Sequence, residues 1–125
     1  MKKSLIFKIC VLGLTLSLHS VAFANDWSKS DTYRECIFIT LNILDWGTTR
    51  DIAKHPESYV ENNPIIKGNP SLRKVDNYFL ATIVLHPIIS YYLPKKQRKT
   101  FQYISILIAG TATTHNLNIG LKVNF

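Results

Sequence analysis

Tyr78-Phe79-Leu80-Ala81-Thr82-Ile83-Val84-Leu85-His86-Pro87-Ile88-Ile89-Ser90-Tyr91-Tyr92-Leu93 is a run of sixteen residues without a formal charge. Ser71 is placed to cap a helix ahead of it, with Leu72-Arg73-Lys74-Val75-Asp76 as the polar opening turn. Pro87 removes one backbone hydrogen bond near the middle, a loss that membrane helices tolerate better than others. Tyr91-Tyr92 stands where an aromatic belt would meet the membrane interface, and Pro94 ends the helix. Lys95-Lys96-Gln97-Arg98-Lys99 then reads as a tight basic turn. Beyond it lies a second uncharged stretch, Phe101–Thr114, rich in small residues: Ser105, Ala109, Gly110, Ala112 and Thr113. The expectation is an apolar helical hairpin over residues 72–119. Its small-residue face would let helix backbones approach closely, in the chain itself or with a partner.

Each apolar stretch is shorter than the roughly 20 residues that cross a bilayer comfortably. The hairpin spans only if little tilted and flanked by Lys and Arg side chains that reach out to the interface. Membrane embedding is the favoured reading, with a soluble periplasmic helical bundle as the alternative. Two inserted helices would put the basic 95–99 turn in the cytoplasm. Three would leave the basic residues evenly divided.

Working outward, an earlier helix starts with Asp31 as its cap and runs through Cys36-Ile37-Phe38-Ile39-Thr40-Leu41-Asn42-Ile43-Leu44 to about Lys54. It is apolar nearly all round, interrupted by Asn42 and Asp45. Residues 55–71 form a loop broken by Pro56, Pro64 and Pro70, long enough to suggest a functional role. The fold class is therefore all-α, a small bundle of about three helices in one domain, residues 25–125. The terminus Gly120-Leu121-Lys122-Val123-Asn124-Phe125 alternates like the last strand of an outer-membrane barrel. It is the one segment that does so, against the eight that the smallest such barrels need.

The 125 residues carry 15 Lys+Arg against 8 Asp+Glu, with 46% hydrophobic and 18% charged residues. That balance excludes a disordered tail or a coiled coil, and two Cys are too few for a disulfide scaffold. Residues 1–24 have the form of a secretory signal: Lys2 and Lys3, the apolar Ile9–Leu18, then Ala22-Phe23-Ala24 before cleavage. Lys2, Lys3 and Lys8 leave with it, and much of the basicity that would indicate nucleic-acid binding leaves too. Cys36 then stands alone and is expected to be a buried small apolar residue.

Asp45 is the most informative single residue, because a carboxylate within an apolar helix is costly unless partnered. Thr48 and Thr49 share its helix face, and Arg50 reaches it only loosely. Glu61 is placed to accept from Arg50, Arg73 or backbone amides, and Asn63 to hold a turn before Pro64. His86 and His115 lie in or beside the hairpin helices, within reach of each other or of Asp45 if the hairpin packs on the first helix. No HExxH, Cys pair, P-loop, glycine-rich nucleotide fingerprint or GxSxG occurs, so the reading assigns no catalytic residue, no metal and no cofactor.

Asp45-x-x-Thr48-Thr49 followed by Glu61-x-Asn63-Pro64 and a basic-led apolar helix resembles small bacterial and phage-borne membrane proteins of uncharacterised domain families. The resemblance covers residues 41–94, and more weakly the start and end of the third helix. It implies packed transmembrane helices with Asp45, Thr49, Glu61 and Asn63 as a polar core, and brings no activity or substrate. The expected role is a small non-enzymatic inner-membrane or envelope protein. Its partners would be the lipid bilayer and a second copy or another membrane protein, without nucleic acid. The alternatives are a membrane enzyme or proton/ion site on Asp45, Glu61, His86 and His115, and a soluble periplasmic binding protein.

Overall fold

A computed structural model describes residues 26–125; the expected signal peptide lies outside the described residues. Among the described residues three helices form, α1 (Lys29–Lys54), α2 (Leu72–Tyr92) and α3 (Lys95–Asn118). α1 starts one turn before the expected cap. Ser28 Oγ accepts from Asp31 N at 3.2 Å while Asp31 Oδ2 accepts from Ser28 N at 2.8 Å, a reciprocal capping box. Asp31 is thus the third helical residue, and its carboxylate faces inward. Ser71 caps α2 by accepting from Lys74 N at 3.2 Å.

The basic stretch is not a turn. α2 ends at Tyr92, and only Leu93-Pro94 separate it from α3, whose first residues are Lys95 to Lys99. Pro94, at φ −56°, is already set to enter a helix, so α3 begins five residues earlier than the apolar pattern indicated.

α1 is the central element, and α2 and α3 pack mainly on it rather than on each other. Asp31 lies beside Arg98 and Asp45 beside Asn116, so α1 and α3 run parallel. Glu35 meets His86 and Trp46 meets Asp76, so α2 is antiparallel to both. An apolar cluster of Ile66, Val75 and Phe79, flanked by Trp46, Ala53 and Tyr78, fills the end where the 55–71 loop folds back. That loop is ordered by two backbone hydrogen bonds between Glu61 and Gly68, at 2.8 and 2.9 Å. Gly68 sits at φ +84°, where a side chain would be strained. Past Gly120, at φ +94°, residues 121–125 return along α1, where Asn124 N donates to Gly47 O at 3.1 Å.

The distribution of polarity is inverted. Among the described residues, fourteen polar or charged ones are buried against seven hydrophobic ones. Meanwhile Leu80, Val84, Leu85, Ile88 and Ile89 of α2, and Tyr103, Ile104, Leu107 and Ile108 of α3, are exposed. Among the described residues, no helix is long and apolar enough to cross a membrane, so the spanning hairpin has no support from helix length and hydropathy. In α2, Asp76 and Asn77 stand before the uncharged run, and His86, Pro87 and Ser90 interrupt it. Cys36 is exposed rather than buried, because its neighbours Glu35 and Phe38 take the inward positions of that turn.

Candidate functional site

The buried polar residues follow the helix periods. On α1 the inward positions are Asp31, Glu35, Phe38, Asn42, Asp45, Thr49 and Ile52, at alternating steps of four and three. On α3 they are Arg98, Gln102, Ala109, Thr113 and Asn116. Spacing of this kind marks the seam of two packed helices, and here that seam is mostly polar and self-satisfied. Arg98, fully buried, donates from Nε to Ser90 O at 2.9 Å, and from Nη2 to Leu93 O at 3.1 Å. Its Nη1 donates to Asp31 Oδ2 at 3.2 Å and to Asp26 O at 3.1 Å. It therefore ties together the end of α2, the start of α1 and its own helix. Asp31 also pairs with Arg34. Burial pushes Asp31 upward, but hydrogen bonds from Ser28, Arg34 and Arg98 outweigh it and hold the carboxyl below its usual range.

Glu35 anchors the next layer. It accepts from Gln102 Nε2 at 2.9 Å and Ser90 Oγ at 3.1 Å, and lies 2.5 Å from His86 Nδ1. Burial acts to raise its pKa, yet the bonds from His86, Gln102 and Ser90 and the His86 charge bring it down overall. The Glu35 carboxylate holds the Nδ1 edge of His86, and Nε2 is the ring's other edge. Phe38 and Phe101 stack on the imidazole with ring centroids at 3.7 and 4.5 Å, which fixes its plane.

Beyond this layer α2 and α3 diverge around a cleft of about 980 Å³. Its walls include Leu85, Ile89, Leu107, Ile108 and Ile119, and its polar floor is Asn42, Asp45, Glu61, His86 and Asn116. Asp45 Oδ1 accepts from Asn116 Nδ2 at 3.0 Å and from Thr49 Oγ1 at 3.5 Å. Burial first, and the Glu61 charge second, push its pKa up to about 7, with the Thr49 bond opposing. Glu61 Oε1 accepts from Asn63 N at 2.7 Å. Three buried atoms of this floor have no hydrogen-bond partner: Asn42 Oδ1, Glu61 Oε2 and His86 Nε2.

The residues singled out in the sequence are partly brought together here. Asp45, Glu61, Asn63, His86 and His115 all line the cleft, though His115 is exposed at its rim. Thr48 donates to Asp45 O at 3.0 Å and accepts from Asn116 Nδ2 at 2.9 Å. Asn63 Oδ1 accepts from Ile65 N at 2.9 Å, holding the turn around Pro64. Arg50 is elsewhere, with Nη1 on Asp76 and Nε donating to Asn124 O at 3.3 Å. The small-residue set divides. Ser105, Ala109 and Ala112 line the cleft, and Thr113 donates to Leu41 O at 3.2 Å. Gly110 borders a shallow outer groove with Leu41 and Ile106. Asp31, Glu35, Asn42, Ser90, Arg98, Gln102 and Asn116 were not singled out. The signal that marks most of them is polar residues repeating at seam spacing along two helices. Among the described residues, no group of three or more His, Cys, Asp or Glu could hold a metal ion. No protein-family model, no curated protein and no solved structure matches this chain significantly.

Proposed function

We propose that this is a small non-enzymatic protein of the bacterial envelope that works against lipid, with the outer faces of α2 and α3 in contact with the apolar part of a membrane. The inverted polarity carries this reading. The helix seam is filled by ionic and amide groups that, Asn42 Oδ1 apart, satisfy one another, while Val84, Leu85, Ile104, Leu107 and Ile108 stay 51–69% exposed. In water such a face is an association surface; against lipid it is the solvent-compatible side. Exposed Lys95, Lys96 and Lys99 lie at the α2–α3 corner, and Arg73 and Lys74 at the far end of α2. Both sets are suited to phosphate head groups.

The test is flotation of the full chain with phosphatidylcholine vesicles containing anionic lipid, followed by an alkaline carbonate wash. The chain is expected to float and to resist the wash. The pair Val84→Asp and Ile108→Asp, both on exposed positions, is expected to stay in the supernatant with unchanged helix content. A chain that does not float, or a double variant that floats like the parent, overturns the reading.

A further inference from the structure

The cleft between α2 and α3 is a built site with two unpartnered acceptor oxygens on its floor, Asn42 Oδ1 and Glu61 Oε2. Its volume of about 980 Å³ lies within the roughly 300–1,000 Å³ that small-molecule sites occupy. The walls are aliphatic, and Leu85, Ile89, Leu107 and Ile108 carry them to the exposed outer face. At the bottom, the atoms left without partners belong to residues buried to 5% (Asn42), 8% (Glu61) and 5% (His86) exposure. Asn42 Oδ1 and Glu61 Oε2 are acceptors, an amide oxygen and a carboxylate oxygen, and His86 Nε2 is the imidazole edge turned away from Glu35. Buried acceptors without partners are costly, and they call for a donor.

We propose that this cleft binds a single-chain amphiphile with a primary ammonium head. Its alkyl chain lies between Leu85, Ile89 and Ile108, and its N–H groups are donated to Glu61 Oε2 and Asn42 Oδ1. A primary ammonium supplies donors and no acceptor, the complement of these two unpartnered oxygens. A carboxylate head would instead meet Glu61 and Asp45, and like charges in one buried site repel. The ammonium can belong to a free long-chain amine or to the ethanolamine group of a one-chain phospholipid. The chain enters from the side on which both helices expose apolar residues.

The test uses the full chain in phosphatidylcholine nanodiscs. Retention of radiolabelled dodecylamine, dodecanol, dodecanoate and lyso-phosphatidylethanolamine is measured over protein-free nanodiscs. Dodecylamine is expected to bind about ten-fold more tightly than dodecanol, and more tightly again than dodecanoate. Glu61→Gln, which keeps an acceptor for Asn63 N, is expected to bring the amine-to-alcohol ratio close to one. Ala112→Trp, which fills the cleft, is expected to remove retention of every ligand. Binding of the lysolipid as well as the amine assigns the site to a head group, and binding of the amine alone assigns it to a free amine. Equal affinity for amine and alcohol, preference for the carboxylate, or an unchanged ratio in Glu61→Gln overturns the head-group assignment. Retention of none of the four overturns the site, while leaving the flotation result untouched.

Discussion

Asp45→Asn offers a quantitative probe of the helix seam. Burial and the neighbouring Glu61 raise the Asp45 pKa from 3.8 to about 7. Between those values the folded chain holds a proton that the unfolded chain has released. Folding stability must then fall as pH rises through the window. A shift of about 3 units at about 1.36 kcal/mol each gives a penalty approaching 4 kcal/mol once the pH is well above 7. At pH 5 the penalty is under half of that, because the unfolded chain is only about one unit past its own midpoint. Asparagine has no ionisation to lose and can still accept from Asn116 Nδ2. The variant should therefore gain about 2.5 kcal/mol on the parent between pH 5 and pH 8. Groups other than Asp45 that titrate in this window do so in both proteins and largely cancel in the difference. The assay is urea unfolding of parent and variant followed by circular dichroism at each pH. A difference that is flat from pH 5 to pH 8 would refute the argument, since it would mean that Asp45 ionises in the fold as it does in water.

Three further outcomes follow from particular contacts. Arg98→Leu removes the donor to Ser90 O, Leu93 O and Asp31 Oδ2, and should cost about 3–5 kcal/mol in urea unfolding, against less than about 0.5 for Lys96→Leu one turn-face away and exposed. The two helical glycines should behave oppositely on replacement by alanine. At Gly47 the new Cβ would stand 2.5 Å from Val123 Cγ1 and 3.3 Å from Val123 Cα. Residues 121–125 should then lift, seen as faster hydrogen exchange at Asn124 N. At Gly110 it meets only Leu41 Cδ1, at 3.7 Å, and the gain in helix propensity should add about 0.5–1 kcal/mol. Asp51 lies the other way from Asp45. Burial acts upward on it, but bonds from Lys122 N at 2.9 Å and Asn124 Nδ2 at 3.2 Å lower its pKa overall. Its stabilisation is present above the ordinary carboxylate pKa and is lost as pH falls through the lowered value. Asp51→Ala should therefore destabilise at pH 7 and differ little from the parent at the most acid pH the fold survives.

Much of the architecture was legible from local signals. The Ser71 cap, the prolines at 87 and 94 and the two uncharged runs place α2 and α3, because caps and prolines act within a turn of themselves. The start of α3 was not legible. A run of four Lys and Arg in five residues reads as solvated, and nothing local reveals that Arg98 is claimed by carbonyls of the preceding helix. Asp45, Glu61, Asn63 and His86 stood out because polar groups within or between apolar stretches are conspicuous. The other polar residues of the seam did not, because Asn42, Gln102 and Asn116 are ordinary in isolation and gain meaning only when α1 and α3 are laid side by side. Reading α1 as apolar with interruptions inverted its faces. Ile37 and Ile43 point outward, and Asp31, Glu35, Asn42 and Asp45 point in.

The central claim, that the outer faces of α2 and α3 meet lipid while the polar seam does not, is tested most directly by paramagnetic broadening. The full chain, methyl-labelled at Ile and Val, would be placed in phosphatidylcholine nanodiscs with chain-labelled doxyl lipid. Broadening of Val84, Ile88, Ile104 and Ile108, with Ile52, Ile66 and Val75 left sharp, is the predicted result. Sharp signals at all four outward positions, or broadening no greater there than at the three buried ones, would contradict it.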